Sequence, residues 1–342
     1  MGMIIEDGGI LTSIQDGGRF GFEQFGVSPS GPMDMRSMQI GNILVDNDIN
    51  ESCLETTIMG PTIRFDGPAV LAVTGADCGP LLNGKPVNMY RAFSVKAGDI
   101  LKLGMVKNGC RSYLAVAGGI KVPVLMNSKC TMVGKHFGGY EGRKLQKGDV
   151  LELEKKISVL PNMQVRFTTA DTYTAKEHRL RVIMGPQDDM FTEEGIRSFL
   201  NGTYKVGQEF DRQGYRLEGP VIQHKVDGNI ISDGIVTGSI QVPTAGQPIV
   251  MLAEHQTVGG YTKIATVITT DLPIIGQCKA GDAIRFQAVT VEEAEKLYAS
   301  YHKELEALKQ KVHTPVKYKP ARNLIISFGG KSFQVQVEER ED

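Results

Sequence analysis

The side chains best suited to chemistry in this 342-residue chain sit beside glycines, in segments that a hydrophobic core would not choose. Arginines with a neighbouring acid occur in Gln15-Asp16-Gly17-Gly18-Arg19 and in Asp211-Arg212-Gln213-Gly214-Tyr215-Arg216. Carboxamides follow in Gly185-Pro186-Gln187, in Gly238-Ser239-Ile240-Gln241-Val242-Pro243, and from Gln256 through Gly259-Gly260-Tyr261. Two further segments are Ser30-Gly31-Pro32-Met33-Asp34 and Arg111-Ser112-Tyr113 leading to Gly118-Gly119. Glycine lets backbone amides approach a ligand, and a planar guanidinium grips a carboxylate or phosphate through two parallel hydrogen bonds. Taken singly, each cluster also reads as a turn with a capping or salt-bridging residue.

Several better-known arrangements fail on inspection. Gly330-Lys331-Ser332 resembles the end of a phosphate-binding loop, but Ile325 stands where its first glycine belongs and no helix follows. The run Val70 to Asp77 looks like the first strand of a dinucleotide fold, yet no GxGxxG comes after it. There is no HExxH and no GxSxG, and the six histidines are scattered, so no metal site and no triad is expected. His136, His224 and His255 read as hydrogen-bonded structural residues.

Composition narrows the class. The 38 basic and 39 acidic side chains nearly cancel, which leaves no field to draw in nucleic acid or anionic lipid and points to a small-molecule substrate. Five cysteines lie far apart with no CxxC pair, fitting reduced thiols better than a disulfide framework. The N-terminus lacks the basic-then-apolar run of a secretory signal, and no stretch approaches a membrane span, so a cytoplasmic protein is expected.

The elements that must position the clusters are mainly β. Short β-branched runs bounded by turn residues recur at 62–65, 70–74, 100–103, 113–116, 150–153 and 180–184, then at 230–232, 239–242, 249–252, 264–268 and 283–288. A Gly-Asp turn before a strand appears three times, at Gly98-Asp99, Gly148-Asp149 and Gly281-Asp282; either related β units repeat in both halves, or Gly-Asp is simply a common turn pair. Helices are few. Pro32 sits where a first helical residue belongs before MDMRSMQIGNILV, and a second helix runs from Thr192 to Asn201-Gly202. The one long C-terminal helix opens on a Thr290/Glu293 capping box and carries an apolar stripe that packs along a barrel wall or in a partner's groove. After a polar link, two alternating strands flank Gly329-Gly330, and residues 338–342 form a charged, loose tail. The expected organisation is a first β lobe over 1–178, a second over 179–289, the helix over 290–313, and a linker with a terminal hairpin over 314–342.

The same glycine-rich phrases resemble the allophanate hydrolase subunit 2 family, also called the biotin-dependent carboxyltransferase or KipA-like family, whose members include a component of bacterial 5-oxoprolinase. The match runs from TSIQDGGRFGFEQFGVSPSGPMD through CRSYLAVAGG, GGYEGRKLQKGD, MGPQ, DRQGYRLEGP and GSIQVPTAGQPI to HQTVGGYTKIA. The resemblance implies two cyclophilin-like β-barrel lobes and a paralogous subunit 1 (KipI-like) partner, with the active cleft between subunits or lobes. The family name promises allophanate hydrolysis, but the Lys and paired serines of an amidase are not found. Thr262, Gln213 and Asn127-Ser128-Lys129 depart from the family's pattern and bear on substrate choice.

Three functions follow from the resemblance. The first is a subunit of an ATP-dependent 5-oxoprolinase that opens 5-oxoproline to glutamate with its partners, a LamB/YcsF-type protein among them; ATP is implied because an unstrained amide resists water without electrophilic help. In that reaction Arg212 and Arg216 would hold carboxylate or phosphoryl oxygens, with Gln241 and Tyr261 as orienting groups. Gln15, Asp16, Arg19, Asp34, Gln187, Asp211, Gln256, Gly259 and Gly260 would complete substrate binding. The second is carboxyl transfer to urea or a related amide, with biotin on a separate carrier, since no Met-Lys-Met follows the terminal strands. The third is a KipA-like regulator that binds and antagonises a kinase-inhibitor partner.

Overall fold

The computed structural model describes residues 2–315 and 321–337. Every strand expected from a β-branched run is present, with ends shifted by up to three residues except at 264–268, where the strand starts six residues earlier, at Val258. In the first lobe, Gly2–Asp7, Thr62–Phe65, Ile100–Lys102 and Val150–Glu152 form a sheet extended by the short pair Leu81–Leu82 and Lys85–Pro86. A second sheet runs in the order Leu11–Gln15, Cys53–Thr57, Arg111–Val116, Ala69–Gly75, Ala92–Val95, all antiparallel. Alternation along each strand sends Met3, Ile5, Ile63 and Phe65 from one sheet against Leu54, Leu71, Val73 and Leu114 from the other. The opposite face of the second sheet, through Val70, Ala72, Tyr113 and Ala115, is covered by helices. Ala69–Gly75 is therefore buried on both faces, which is why it reads as an unbroken apolar run.

Those helices are α1 (Met35–Leu44) and the long C-terminal helix; α2 (Glu193–Asn201) and α3 (Leu272–Gly276) belong to the second lobe, and the long helix is α4 (Val291–His313). Helix α1 begins later than Pro32 suggests. Ser30 donates its backbone N–H to Ala253 O at 2.8 Å and Met33 joins the second lobe's core, so the segment before α1 is drawn across to the neighbouring lobe. Asp34 then caps the helix, accepting from Ser37 N at 2.9 Å. The Thr290/Glu293 capping box opens α4. Its apolar stripe settles on α1 and the first lobe, burying Leu305, Leu308 and Val312, with Arg36–Glu304 at 3.0 Å and a Tyr301–Gln39 hydrogen bond along the edge.

The second lobe closes on itself. Glu177–Met184 pairs in parallel with Ala283–Ala288 on one side and antiparallel with Val258–Val267 on the other. Seven strands make the ring, and Asn229–Gly234 is added outside Val258–Val267. Leu180, Tyr215, Ile240, Val250, Ile264 and Phe286 fill its interior, plugged by Phe199 of α2 and Ile275 of α3.

The three Gly-Asp turns prove to be one local device used in both lobes. In each, the Asp carboxylate accepts the backbone N–H three residues earlier: Asp99 from Lys96 at 2.8 Å, Asp149 from Gln146 at 2.8 Å, Asp282 from Lys279 at 3.0 Å. The terminal hairpin forms as Arg322–Phe328 against Lys331–Val337. Residues 316–320 of the polar link and the charged tail 338–342 lie outside the described residues. None of the five cysteines is paired, and all are buried. No helix among the described residues is long and apolar enough to cross a membrane.

Truncating Leu305, 2 % exposed, leaves a cavity between α4 and α1. Leu305→Ala is expected to lower unfolding stability by about 2–5 kcal/mol, whereas Lys309→Ala on the solvent face stays within about 0.5 kcal/mol, both read from urea midpoints.

Candidate functional site

The two lobes meet across a dry polar seam. Gly276 of α3 comes so close to Met33 that an added Cβ would lie 2.2 Å from the Met33 carbonyl, so only glycine permits the approach. Gln277 Oε1 accepts from both Cys110 N and Arg111 N at 2.9 Å, and its Nε2 donates to Asp34 Oδ2 at 2.8 Å. Arg111 donates to Tyr215 Oη at 2.6 Å. At the centre, Arg212 donates to Glu55 at 2.5 Å, to Glu254 at 2.6 Å and to Gly31 O at 2.6 Å. Glu55 in turn accepts from Tyr113 Oη at 2.7 Å and Met33 N at 2.8 Å. Burial opposes the charge on Arg212, but Glu55 and Glu254 outweigh it and raise its pKa.

This position corrects the reading of Arg212 as a substrate-facing fork: it is 5 % exposed and each of its nitrogens is already engaged by protein. Asp34, also expected to face a ligand, is fully buried as the α1 cap. Desolvation pushes its carboxyl up, while donors from Gln277, Ser37 and Tyr173 hold the rise in check.

Four of the remaining second-lobe candidates, Asp211, Arg216, Gln256 and Tyr261, share one cavity on its rim. A cavity of about 470 Å³ is lined by Glu209, Asp211, Gln213, Arg216, Gln256 and Tyr261, among others. Strand alternation explains the sorting: Tyr215 faces the barrel interior, so its neighbour Arg216, paired with Ile249, faces out. Among the described residues Arg216 is held only by Glu209 at 2.6 Å, with both side chains more than half exposed. Asp211 shapes the loop, accepting from Gln213 N at 2.7 Å and Gly214 N at 3.2 Å. Behind Gln256 lies Gln241, whose Oε1 accepts from Gln256 Nε2 at 3.3 Å. Gln241 is 1 % exposed, and its Nε2 has no hydrogen-bond partner among the described residues. A Cβ on Gly259 would lie 2.7 Å from that nitrogen, so the glycine leaves room for the carboxamide. Gly260 runs close to the Ile230 carbonyl, at 3.3 Å for an added Cβ, so it serves the packing of the added outer strand.

Adjoining Gln241 in register is Lys263, a residue that sequence reasoning missed. It is 3 % exposed, and its ammonium donates to Asp233 at 2.5 Å and Gly234 O at 2.6 Å. Gln187 joins this group, accepting from Lys263 N at 3.0 Å and donating to Asp233 at 3.2 Å. The hydrogen bond from Lys263 lowers the Asp233 pKa. A lysine inside a strand reads as a solvated face; only the outer strand Asn229–Gly234, which covers it, makes it a buried cation.

The first-lobe candidates lie apart from this rim. Gln15 and Arg19 anchor the 125–131 loop: Gln15 Nε2 donates to Thr131 O at 3.0 Å, and Arg19 to Leu125 O at 3.1 Å and Cys130 O at 3.0 Å. Asp16 accepts from Ser128 Oγ at 2.6 Å and Lys129 N at 2.5 Å, so the departure at 127–129 is built into a loop lock. Thr262, another departure, is buried and bonded to His224 Nε2 at 3.0 Å.

The division between seam and rim has measurable consequences. Arg212→Ala strands two buried carboxylates and is expected to cost about 3–5 kcal/mol in chemical denaturation, while Arg216→Ala leaves stability within about 0.5 kcal/mol. Burial also depresses the pKa of His224 and His255, with the Val242 and Gln256 carbonyls opposing it. The unfolded chain then binds more protons, so the stability these residues contribute is present above their usual value of 6.5 and lost as pH falls through the folded pKa values. Urea midpoints are expected to drop between pH 7.5 and pH 5.5, with a shallower slope in His255→Gln.

Comparison with known proteins gives this two-lobed β architecture its class, a carboxyltransferase-type domain. A family model described as carboxyltransferase domain, subdomain A and B, matches residues 25–288, and the chain belongs to that family. It is 36 % identical over 305 residues to the C component of 5-oxoprolinase from Escherichia coli, covering 89 % of this chain and 97 % of that protein. It is 33 % identical over 317 residues to urea amidolyase of Saccharomyces cerevisiae, covering 88 % of this chain but 17 % of that one. The crystal structure of Kluyveromyces lactis urea carboxylase superposes with a TM-score of 0.83 at 30 % identity, over 99 % of this chain and 32 % of its own.

Proposed function

We propose that this chain is one subunit of a heteromeric, ATP-dependent 5-oxoprolinase that converts 5-oxoproline to glutamate, and that the rim of the closed lobe holds the substrate. The observation that carries the reading is Arg216: a guanidinium in a polar cavity, tied to an exposed Glu209, can exchange that weak partner for a substrate carboxylate. Identity of 36 % over 305 residues to the E. coli 5-oxoprolinase component supports the 5-oxoproline assignment.

In this reading 5-oxoproline presents a carboxylate to Arg216 and a cyclic amide to the Gln256 carboxamide, which Gln241 positions from behind by accepting from Gln256 Nε2. Tyr261 closes the outer side. The P-loop-like phrase ending Gly330-Lys331-Ser332 does not fit a triphosphate: it lies in a two-stranded hairpin with no helix behind it among the described residues. No step is therefore assigned to nucleotide on this chain, and ATP falls to the partners, a subunit 1 paralogue and a LamB/YcsF-type protein.

The likeness to urea carboxylase favours a second reading, in which the same rim receives a carboxyl group from biotin on a separate carrier. One reconstitution separates them. Glutamate released from 5-oxoproline and ATP when the partners are added, without a biotin carrier, supports the first; strict dependence on a biotinylated carrier supports the second. In the first case Arg216→Ala is expected to reduce kcat/KM by about 10–100-fold, the loss of one charge-assisted hydrogen bond, with unfolding stability unchanged. Undiminished kcat/KM in that variant would remove Arg216 from substrate binding.

A further inference from the structure

A second site is assembled where the closing strands of the second lobe meet the turn after α3. We propose that His178, Cys278 and Asp282 bind a divalent transition metal of the zinc class. Each offers one ligand atom, and the three atoms lie within 4.8 Å of one another. Ligands bonded to zinc at about 2.0–2.3 Å stand about 3.5 Å apart, so a closure of about 1 Å brings the three to bonding distance, with water as the fourth ligand. Nitrogen, sulfur and oxygen together suit zinc or cobalt and suit calcium or magnesium poorly.

Rigid elements hold the three in place. His178 pairs in register with Ile284, two residues beyond Asp282, in the parallel ladder that closes the barrel. Cys278 lies two residues beyond the end of α3, and its own carbonyl is held by Tyr215 Oη at 3.2 Å. Outer contacts of the kind that orient metal ligands are already present. The Ala175 carbonyl hydrogen-bonds the His178 ring, and Asp282 Oδ2 is fixed by Lys279 N at 3.0 Å. Among the described residues no such ligand set surrounds Asp99 or Asp149 in the other two Gly-Asp turns, which bond instead to the side chains of Asn83 and Arg143.

Two lysines now answer the Asp282 charge, Lys279 Nζ at 3.5 Å and Lys176 Nζ at 3.9 Å. Lys176 is 73 % exposed and can turn into water when a metal takes its place. Binding exchanges one bond for another: the Cys278 S–H breaks, a metal–sulfur bond forms, and the proton leaves to solvent. The Sγ contact given up, to Ile274 O at 3.3 Å, is a weak one. The expectation of no metal rested on spacing along the chain; a hundred residues separate His178 from Cys278, and the parallel pairing brings them together.

The test is a cobalt titration of the full, reduced, metal-free chain. A saturable 1:1 thiolate-to-cobalt charge-transfer band, displaced by zinc, is expected, lost in Cys278→Ser and retained in Cys110→Ser. His178→Gln, on a half-buried side chain, is expected to fold normally and weaken cobalt by at least about tenfold. The proposal is overturned if no such band appears, if it survives Cys278→Ser, if it vanishes in Cys110→Ser, or if His178→Gln binds as tightly as the parent.

Discussion

Arg212 sits between two carboxylates from different parts of the molecule, Glu55 on a first-lobe strand and Glu254 on a second-lobe loop. In a site this dry, removing one partner leaves charge that water cannot reach, so the bridge ties the relative placement of the lobes to its own integrity. The 28–34 segment is part of the same constraint: Gly31 O accepts from Arg212, Met33 enters the second core and Asp34 starts α1. Whatever is presented at the rim is presented on a body that this bridge makes single.

The rim and the seam are separated by one residue step in the sequence and by the barrel wall in space. Tyr215 points in and bonds Arg111, while Arg216 points out beside Glu209. A strand can in this way hold structure with one side chain and offer chemistry with the next. Lys263 and Gln241 show the same economy of placement: they are neighbours in register on the outer face, covered by an added strand that turns a surface into a shielded polar recess.

That placement also accounts for the family relation. The match to long urea-processing enzymes covers a small part of their length, yet the fold superposes closely, so this two-lobed body is a portable unit. Its glycine-rich phrases serve that body as much as any ligand. Asp16, Gln15 and Arg19 lock the 125–131 loop, and Asp211 shapes a hairpin.

Much of the local structure was legible before any coordinates. The β-branched runs, the Thr290/Glu293 box and the Gly329-Gly330 hairpin depend on interactions within a few residues, and each formed as its letters indicate. The start of α1 did not, because the pull on Ser30 and Met33 comes from the second lobe, Ala253 for the first and the core from Leu180 to Phe286 for the second. Residue type alone marked Arg212 and Arg216 as equivalent forks; tertiary structure made one a buried tie and left the other at the rim. It likewise set Lys263 beside Gln241, and His178 beside Cys278. Sequence by itself determined which short segments would become strands, caps and turns, since those are settled by near neighbours and by period. Which guanidinium is spent inside and which meets solvent was decided by the packing of the two lobes, because burial is a property of the assembled whole.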